Sequence, residues 1–107
     1  MGVNKGEEMV AKVVNIKIHK CDIFVGRNRD ISRFHWGNPF IIGKDGDRQE
    51  VVARFKMWFL GLAHQDIEPE RRAWMVRNLF RLKGRTLGCF CKPLDCHGDI
   101  LLKEANK

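Results

Sequence analysis

Hydrophobic and polar positions alternate over residues 12–18, with Val14, Ile16 and Ile18 on one side and Val13, Asn15 and Lys17 on the other. A period of two is that of a strand. Residues 21–25 form a second short apolar run closed by Gly26, with His19-Lys20 as a turn between the two. The two strands are therefore expected as neighbours, in the manner of a hairpin. The period becomes helical after Asp47, where Val51, Phe55, Trp58, Phe59 and Leu62 recur on one face. Asp47 and Glu50 have capping-box spacing, so each can bond the other's backbone N–H. A second helix is predicted near Pro69, between Glu68 and Glu70, with Ala73, Val76, Leu79 and Phe80 as its buried stripe and Gly84 as its stop. Residues 86–91 read as a short apolar strand, stopped by Pro93. Asp95 or Cys96 then caps a last helix over residues 97–105, with Ile100, Leu101 and Ala105 inward.

The order β-β-α-α-β-α defines one small α/β domain over residues 11–107, preceded by a polar, flexible tail over residues 1–10. Residues 27–46 form a long connection without period. Asn38-Pro39 and Asp45-Gly46 are turn signals, and a loop of this length inside a small domain is usually functional. Its aromatic residues imply that it folds back onto the core.

Composition narrows the class. The chain has 107 residues, 44% of them apolar, with ten aromatics, enough for one packed domain. No apolar run approaches the roughly 20 residues that span a bilayer, and the N-terminus lacks the apolar stretch of a signal peptide. A cytoplasmic protein with no membrane partner is expected. In a reducing compartment, the clustering of Cys89, Cys91 and Cys96 points to metal binding, catalysis or burial rather than to a disulfide framework. A net charge of +7 suits nucleic acid, nucleotides or acidic proteins as partners, or a solvated basic face. Arg27, Arg29 and Arg33 form one basic group, and Arg71, Arg72, Arg77, Arg81, Lys83 and Arg85 another.

The strongest chemical signal is the run from Cys89 to Asp99. Cys89 and Cys91 share a strand face, and the turn at Pro93 brings Cys96 and His97 back toward the strand's end, where ligands bind in open α/β sheets. Three readings compete. Cys89, Cys91, Cys96 and His97 carry the donor types of a tetrahedral zinc site, although Cys-x-Cys-x4-Cys-His is an uncommon spacing. Alternatively, the free amides of Cys96, His97 and Gly98 at a helix N-terminus form an anion pocket, with Gly98 admitting a phosphate closely. The same field would favour a Cys96 thiolate nucleophile, with His97 and Asp99 as acid–base groups. In the third reading the cysteines are small buried hydrophobes and Asp99 only complements the helix dipole. A second signal is Trp36-Gly37-Asn38-Pro39-Phe40. Asn38 is held extended before proline and could read a donor–acceptor pair, and Trp36 or Phe40 could stack on a base. A purely structural turn explains the same residues. Gly26-Arg27 after a strand could cradle a phosphate. His19, His35 and His64 read as isolated surface residues.

Val25-Gly26-Arg27, Trp36-Gly37-Asn38-Pro39-Phe40, Gly43, Asp45-Gly46, Arg48, Leu87-Gly88-Cys89-Phe90-Cys91-Lys92-Pro93 and Cys96-His97-Gly98-Asp99 occur here in this order. Together they resemble an uncharacterised bacterial and phage family, the domain of unknown function 4326. The usual pattern has Trp where this chain has Phe90, and residues 27–34 are longer than typical. The resemblance implies an α/β, Rossmann-like domain, often phage-borne, and no established activity. The leading expectation is a domain that binds or processes a nucleotide-like or other phosphorylated small molecule in a pocket where Gly26, Arg27, Asn38, Cys91, Cys96, His97 and Asp99 converge. The alternative is a zinc-stabilised nucleic-acid-binding protein or a phage-encoded host-interaction protein.

Overall fold

The computed structural model describes residues 11–27 and 34–107. The tail over residues 1–10, Arg29 and Arg33 lie outside the described residues. Strands β1 (Lys12–Asn15) and β2 (Ile23–Phe24) are followed by helices α1 (Arg48–Phe59) and α2 (Pro69–Asn78). A 3₁₀ turn (Leu79–Leu82), strand β3 (Thr86–Cys89) and helix α3 (His97–Ala105) complete the chain. The mixed α/β class and the element order are as expected.

The sheet is parallel, in the order β1-β3-β2. Lys12 to Asn15 pair with Thr86 to Cys89, and Ile23 and Phe24 pair with Leu87 and Gly88. The central strand is the best buried, with Leu87 0% exposed and Cys89 2%, as a strand covered on both faces requires. The expected hairpin of β1 and β2 is not formed: β3 lies between them. Strand β1 stops at Asn15, whose carbonyl accepts from the N–H groups of Ile18 and His19, and Ile18 is exposed. The chain then recrosses β3 over residues 16–22. Parallel crossovers ordinarily take a dozen residues or more, usually as a helix. This short link is feasible because Gly88 has no side chain: a Cβ there would collide with Cys21 Sγ and Ile16 Cγ2.

Helix α1 starts at the predicted capping box. The Asp47 carboxylate accepts from Glu50 N–H at 2.8 Å, and Glu50 Oε1 accepts from Asp47 N–H at 2.9 Å. Val51, Phe55, Trp58 and Phe59 are buried, whereas Leu62 falls beyond the helix and is exposed. The last carbonyls of α1, on Trp58 and Phe59, accept from Arg72 Nε at 2.8 Å and Nη2 at 3.0 Å, a cation where the helix dipole favours one.

Helix α2 corrects the expected stripe. Its buried residues are Arg71 and Met75, while Val76 and Phe80 are exposed. The cause is local. The helix tightens to a 3₁₀ turn at Leu79, and i to i+3 spacing brings Leu82 to the core at 0% exposure and swings Phe80 outward. Arg71 takes an interior position because its guanidinium is satisfied. Nε donates to Glu68 Oε1 at 2.8 Å, Nη1 donates to the carbonyls of His35 at 2.9 Å and Gly37 at 2.6 Å, and the group lies over the Trp58 ring at 5.6 Å. Among the described residues, no helix is long and apolar enough to cross a membrane.

Candidate functional site

The parallel sheet directs the ends of its strands to one side of the molecule. There the chain leaving β2 (Gly26, Arg27), the turn at Asn38 and Phe40, the first turns of α1 (Arg48, Val51, Val52), the chain leaving β3 (Cys89, Phe90, Cys91) and the start of α3 (Asp95, Cys96, His97) enclose a pocket of about 300 Å³. This is the end of an α/β sheet at which ligands commonly bind, and the volume lies at the small end of the range for small-molecule sites. The Trp36-to-Phe40 turn and the late cysteine–histidine corner, far apart in sequence, share this cavity.

His97 forms part of the wall, and its Nε2 is engaged by the fold. Nε2 lies 2.7 Å from the Val25 carbonyl and 2.9 Å from the Trp36 carbonyl. Two acceptors require a donor, so Nε2 carries the proton. Burial, outweighing the two carbonyls that raise it and helped by the charges of Arg27 and Arg71, pushes the ring's pKa down to about 4. His97 is therefore neutral at pH 7, stacked edge-on against Phe55 at 5.0 Å, and ties the end of β2 and the Trp36 turn to α3.

Cys96 and Cys89 are both buried, with sulfurs 3.5 Å apart. Burial, then the Cys89 contact, pushes the Cys96 thiol up to about 12 against the opposing N–H of Gly98. This environment disfavours the thiolate expected from the helix terminus, because desolvation and sulfur proximity outweigh the amide field. The predicted zinc tetrad is not assembled. Among the described residues no group of three or more His, Cys, Asp or Glu side chains is arranged to hold a metal ion, and His97 Nε2 faces carbonyls. Cys89 Sγ accepts instead from the Cys91 N–H at 3.4 Å, and Cys91 is the partly exposed thiol of the pocket.

Asp99 is likewise occupied. One carboxylate oxygen caps α3 by accepting from Cys96 N–H at 3.2 Å, and the other pairs with Lys92 Nζ. Burial alone would lower the Lys92 pKa, but the bond to Asp99 and the negative charge nearby more than offset it and raise it. Gly98 is packed rather than open: a Cβ there would press on Cys96 Sγ, Val13 and Val25. Asn38 is buried with its amide engaged, Nδ2 donating to the Val51 carbonyl at 3.1 Å and Oδ1 accepting from Phe40 N–H at 2.9 Å. Trp36 is directed away from the pocket, packing on Trp74 at 5.0 Å between centroids. It lines a separate cavity of about 310 Å³ together with Phe24, Gly26 and Phe34.

The groups left for a ligand are at the rim. Arg27 Nε and Nη2 donate to the carbonyls of Asn38 at 3.2 Å and Phe40 at 3.3 Å. Arg48 Nη1 donates to the Asp95 carbonyl at 3.2 Å. Both guanidiniums are steered by neutral carbonyls, and neither is within ion-pair distance of a described carboxylate. Ile42 and Val52 are walls that sequence reasoning did not single out, and Arg48 and Phe90 stood in the motifs without a ligand role. Arg48 stood beside the capping box, and its proximity to Asp95 comes only from tertiary packing.

Fold and site together define a small α/β domain in which three parallel strands end on a largely apolar pocket rimmed by arginines. The chain belongs to the family described as "Domain of unknown function (DUF4326)", whose model matches residues 9–107. It is 34% identical over 105 residues to the "Uncharacterized 12.4 kDa protein in nrdA-td intergenic region" of Enterobacteria phage T4, over 92% of this chain and 80% of that protein. No solved structure matches the chain.

Proposed function

We propose that this domain is a binding module for a small anionic molecule with a flat, apolar-tolerant body, of which a nucleoside monophosphate is the type. The observation that carries the reading is the pair Arg27 and Arg48. Two guanidiniums, held in place by backbone carbonyls and unneutralised by described carboxylates, flank one cavity whose other walls are Phe40, Val52 and Phe90. Each guanidinium has five N–H donors, so donors remain for phosphate oxygens after the carbonyl bonds are made. The apolar walls suit a base or similar ring.

Binding is favoured over processing by the state of the acid–base candidates. His97 is neutral and bonded to two carbonyls, Cys96 is a buried thiol, and Asp99 is committed to Lys92 and the helix cap. The Nε2–H of His97 and the Asp99 carboxylate are thus spent on the fold, and the Cys96 thiol resists ionisation.

Isothermal titration of the full chain with nucleoside monophosphates, the matching neutral nucleosides and inorganic phosphate tests the proposal. A monophosphate should bind more tightly than either of its parts. Arg48→Ala should weaken it about 10- to 100-fold, the range for a lost hydrogen bond to a charged group. Absence of binding by every compound, or binding that Arg48→Ala leaves unchanged, would overturn it.

A further inference from the structure

Opposite the pocket, at the end where β2 and β3 begin, lies a wider and shallower groove of about 540 Å³ lined by Asp22, Ile23, Phe80, Arg81, Lys83 and Arg85. We infer that this groove is a docking surface for single-stranded nucleic acid, with Phe80 as the base-stacking platform and Arg81, Lys83 and Arg85 as the backbone contacts. The inference is independent of the ligand proposed for the pocket.

Three observations lead to it. Phe80 is 73% exposed, although helical spacing would have buried it, and the 3₁₀ turn that carries it seats Leu82 in the core instead. A large aromatic ring is thus presented to solvent by a firmly anchored element. Second, Arg81, Lys83 and Arg85 are exposed, and none makes an ion pair with a described carboxylate. The one acid in the groove, Asp22, spends Oδ2 on the Thr86 N–H at 2.8 Å. The net charge of +7 adds a long-range attraction for polyanions. Third, the turn bearing the cations is pinned on both sides. Gly84, at φ +73°, donates its N–H to Asn106 Oδ1 at 3.0 Å, and Arg85 N–H donates to the Leu82 carbonyl at 3.1 Å. Only side-chain rotamers remain to be ordered on binding.

The ring selects the class of polyanion. A duplex offers phosphates but keeps its bases stacked on one another, whereas a single strand presents base faces to an aromatic side chain. Ile23, which lines the groove with Phe80, adds apolar surface beside the ring. Of the cations that the sequence grouped with these, Arg71 is buried and Arg72 is spent on the last carbonyls of α1, so neither takes part.

Fluorescence anisotropy with the full chain tests the inference. The probes are a labelled oligothymidylate of about 16 nucleotides, an oligouridylate of equal length and a duplex of the same length. In about 50 mM salt the single strand should bind more tightly than the duplex, with affinity falling steeply as salt rises. Phe80→Ala should weaken single-strand binding by roughly 5- to 100-fold, the range for one stacked base, and leave the duplex nearly unaffected. Phe80→Trp should retain binding. Arg85→Gln should reduce the salt slope by about 0.7. Circular dichroism of each variant checks the fold, which an exposed side chain should not alter. Absence of single-strand binding, equal affinity for duplex that ignores Phe80, or loss of binding through Arg48→Ala rather than Phe80→Ala would each overturn it.

Discussion

His97 makes the stability of the pocket depend on pH in a direction that can be worked from its surroundings. Buried beside Phe55 and bonded through Nε2–H to two carbonyls, it holds its neutral form down to about pH 4. In the unfolded chain an imidazole takes up its proton near pH 6.5. Between these values the unfolded state binds the extra proton, so folding stability falls as pH falls. The contribution of the neutral ring is complete above pH 6.5 and is lost by about pH 4. At 1.36 kcal/mol per pKa unit the whole loss is about 3 kcal/mol, of which about 2 kcal/mol has gone by pH 5. That is a large share of the roughly 5–15 kcal/mol typical of a domain. Urea unfolding of the wild type and of His97→Gln at pH 7.5, 6 and 5 measures it. The variant, which keeps N–H donors for Val25 and Trp36 but loses the ring's packing on Phe55, should be less stable at pH 7.5 by about 2 kcal/mol. That deficit should shrink by about 2 kcal/mol at pH 5, because the variant has no imidazole to protonate. His35, whose pKa is also lowered, first by burial and then by Arg71, acts in both proteins and cancels in the difference. Two parallel stability curves would refute the reasoning.

Three further outcomes follow from the packing. Arg71→Met should cost about 3–5 kcal/mol, because it leaves the carbonyls of His35 and Gly37 without their donor in the interior; a urea midpoint close to that of the wild type would contradict this. Gly88→Ala should cost about 1–3 kcal/mol by forcing residues 16–22 off the face of β3, and thermal unfolding reads it directly. Alkylation of the native protein, mapped by mass spectrometry, should modify Cys21 and Cys91 first. Cys89 and Cys96, each 2% exposed, should react only on unfolding, so early labelling of Cys96 would contradict the buried-thiol assignment.

What could be read from the chain depended on whether the deciding partner was close in sequence. Helix α1 was legible because Asp47 and Glu50 cap each other, and α3 because its cap falls just after Pro93, with Ile100, Leu101 and Ala105 at helical spacing. Strand pairing was not, because nothing local to Val13 or Ile23 says that β3 will insert between them; the clue was Gly88, whose meaning depends on Cys21 and Ile16. In α2 the apolar periodicity misled because a paired arginine took an interior position and a 3₁₀ turn shifted the register. The convergence of Asn38 with His97 was anticipated from their motifs. Their roles were not, since the carbonyls that engage His97 lie 61 and 72 residues earlier. Residues singled out for chemistry proved to build the pocket, while Arg48, which attracted no notice as a ligand group, stands at its rim.

An amide-resolved NMR titration of the full chain with a nucleoside monophosphate tests the central assignment most directly. Shifts confined to Gly26, Arg27, Arg48, Phe90 and Cys91 and their neighbours, and abolished by Arg48→Ala, are the predicted result. A spectrum that stays unchanged at millimolar ligand, or shifts centred on Lys83 and Arg85, would contradict it.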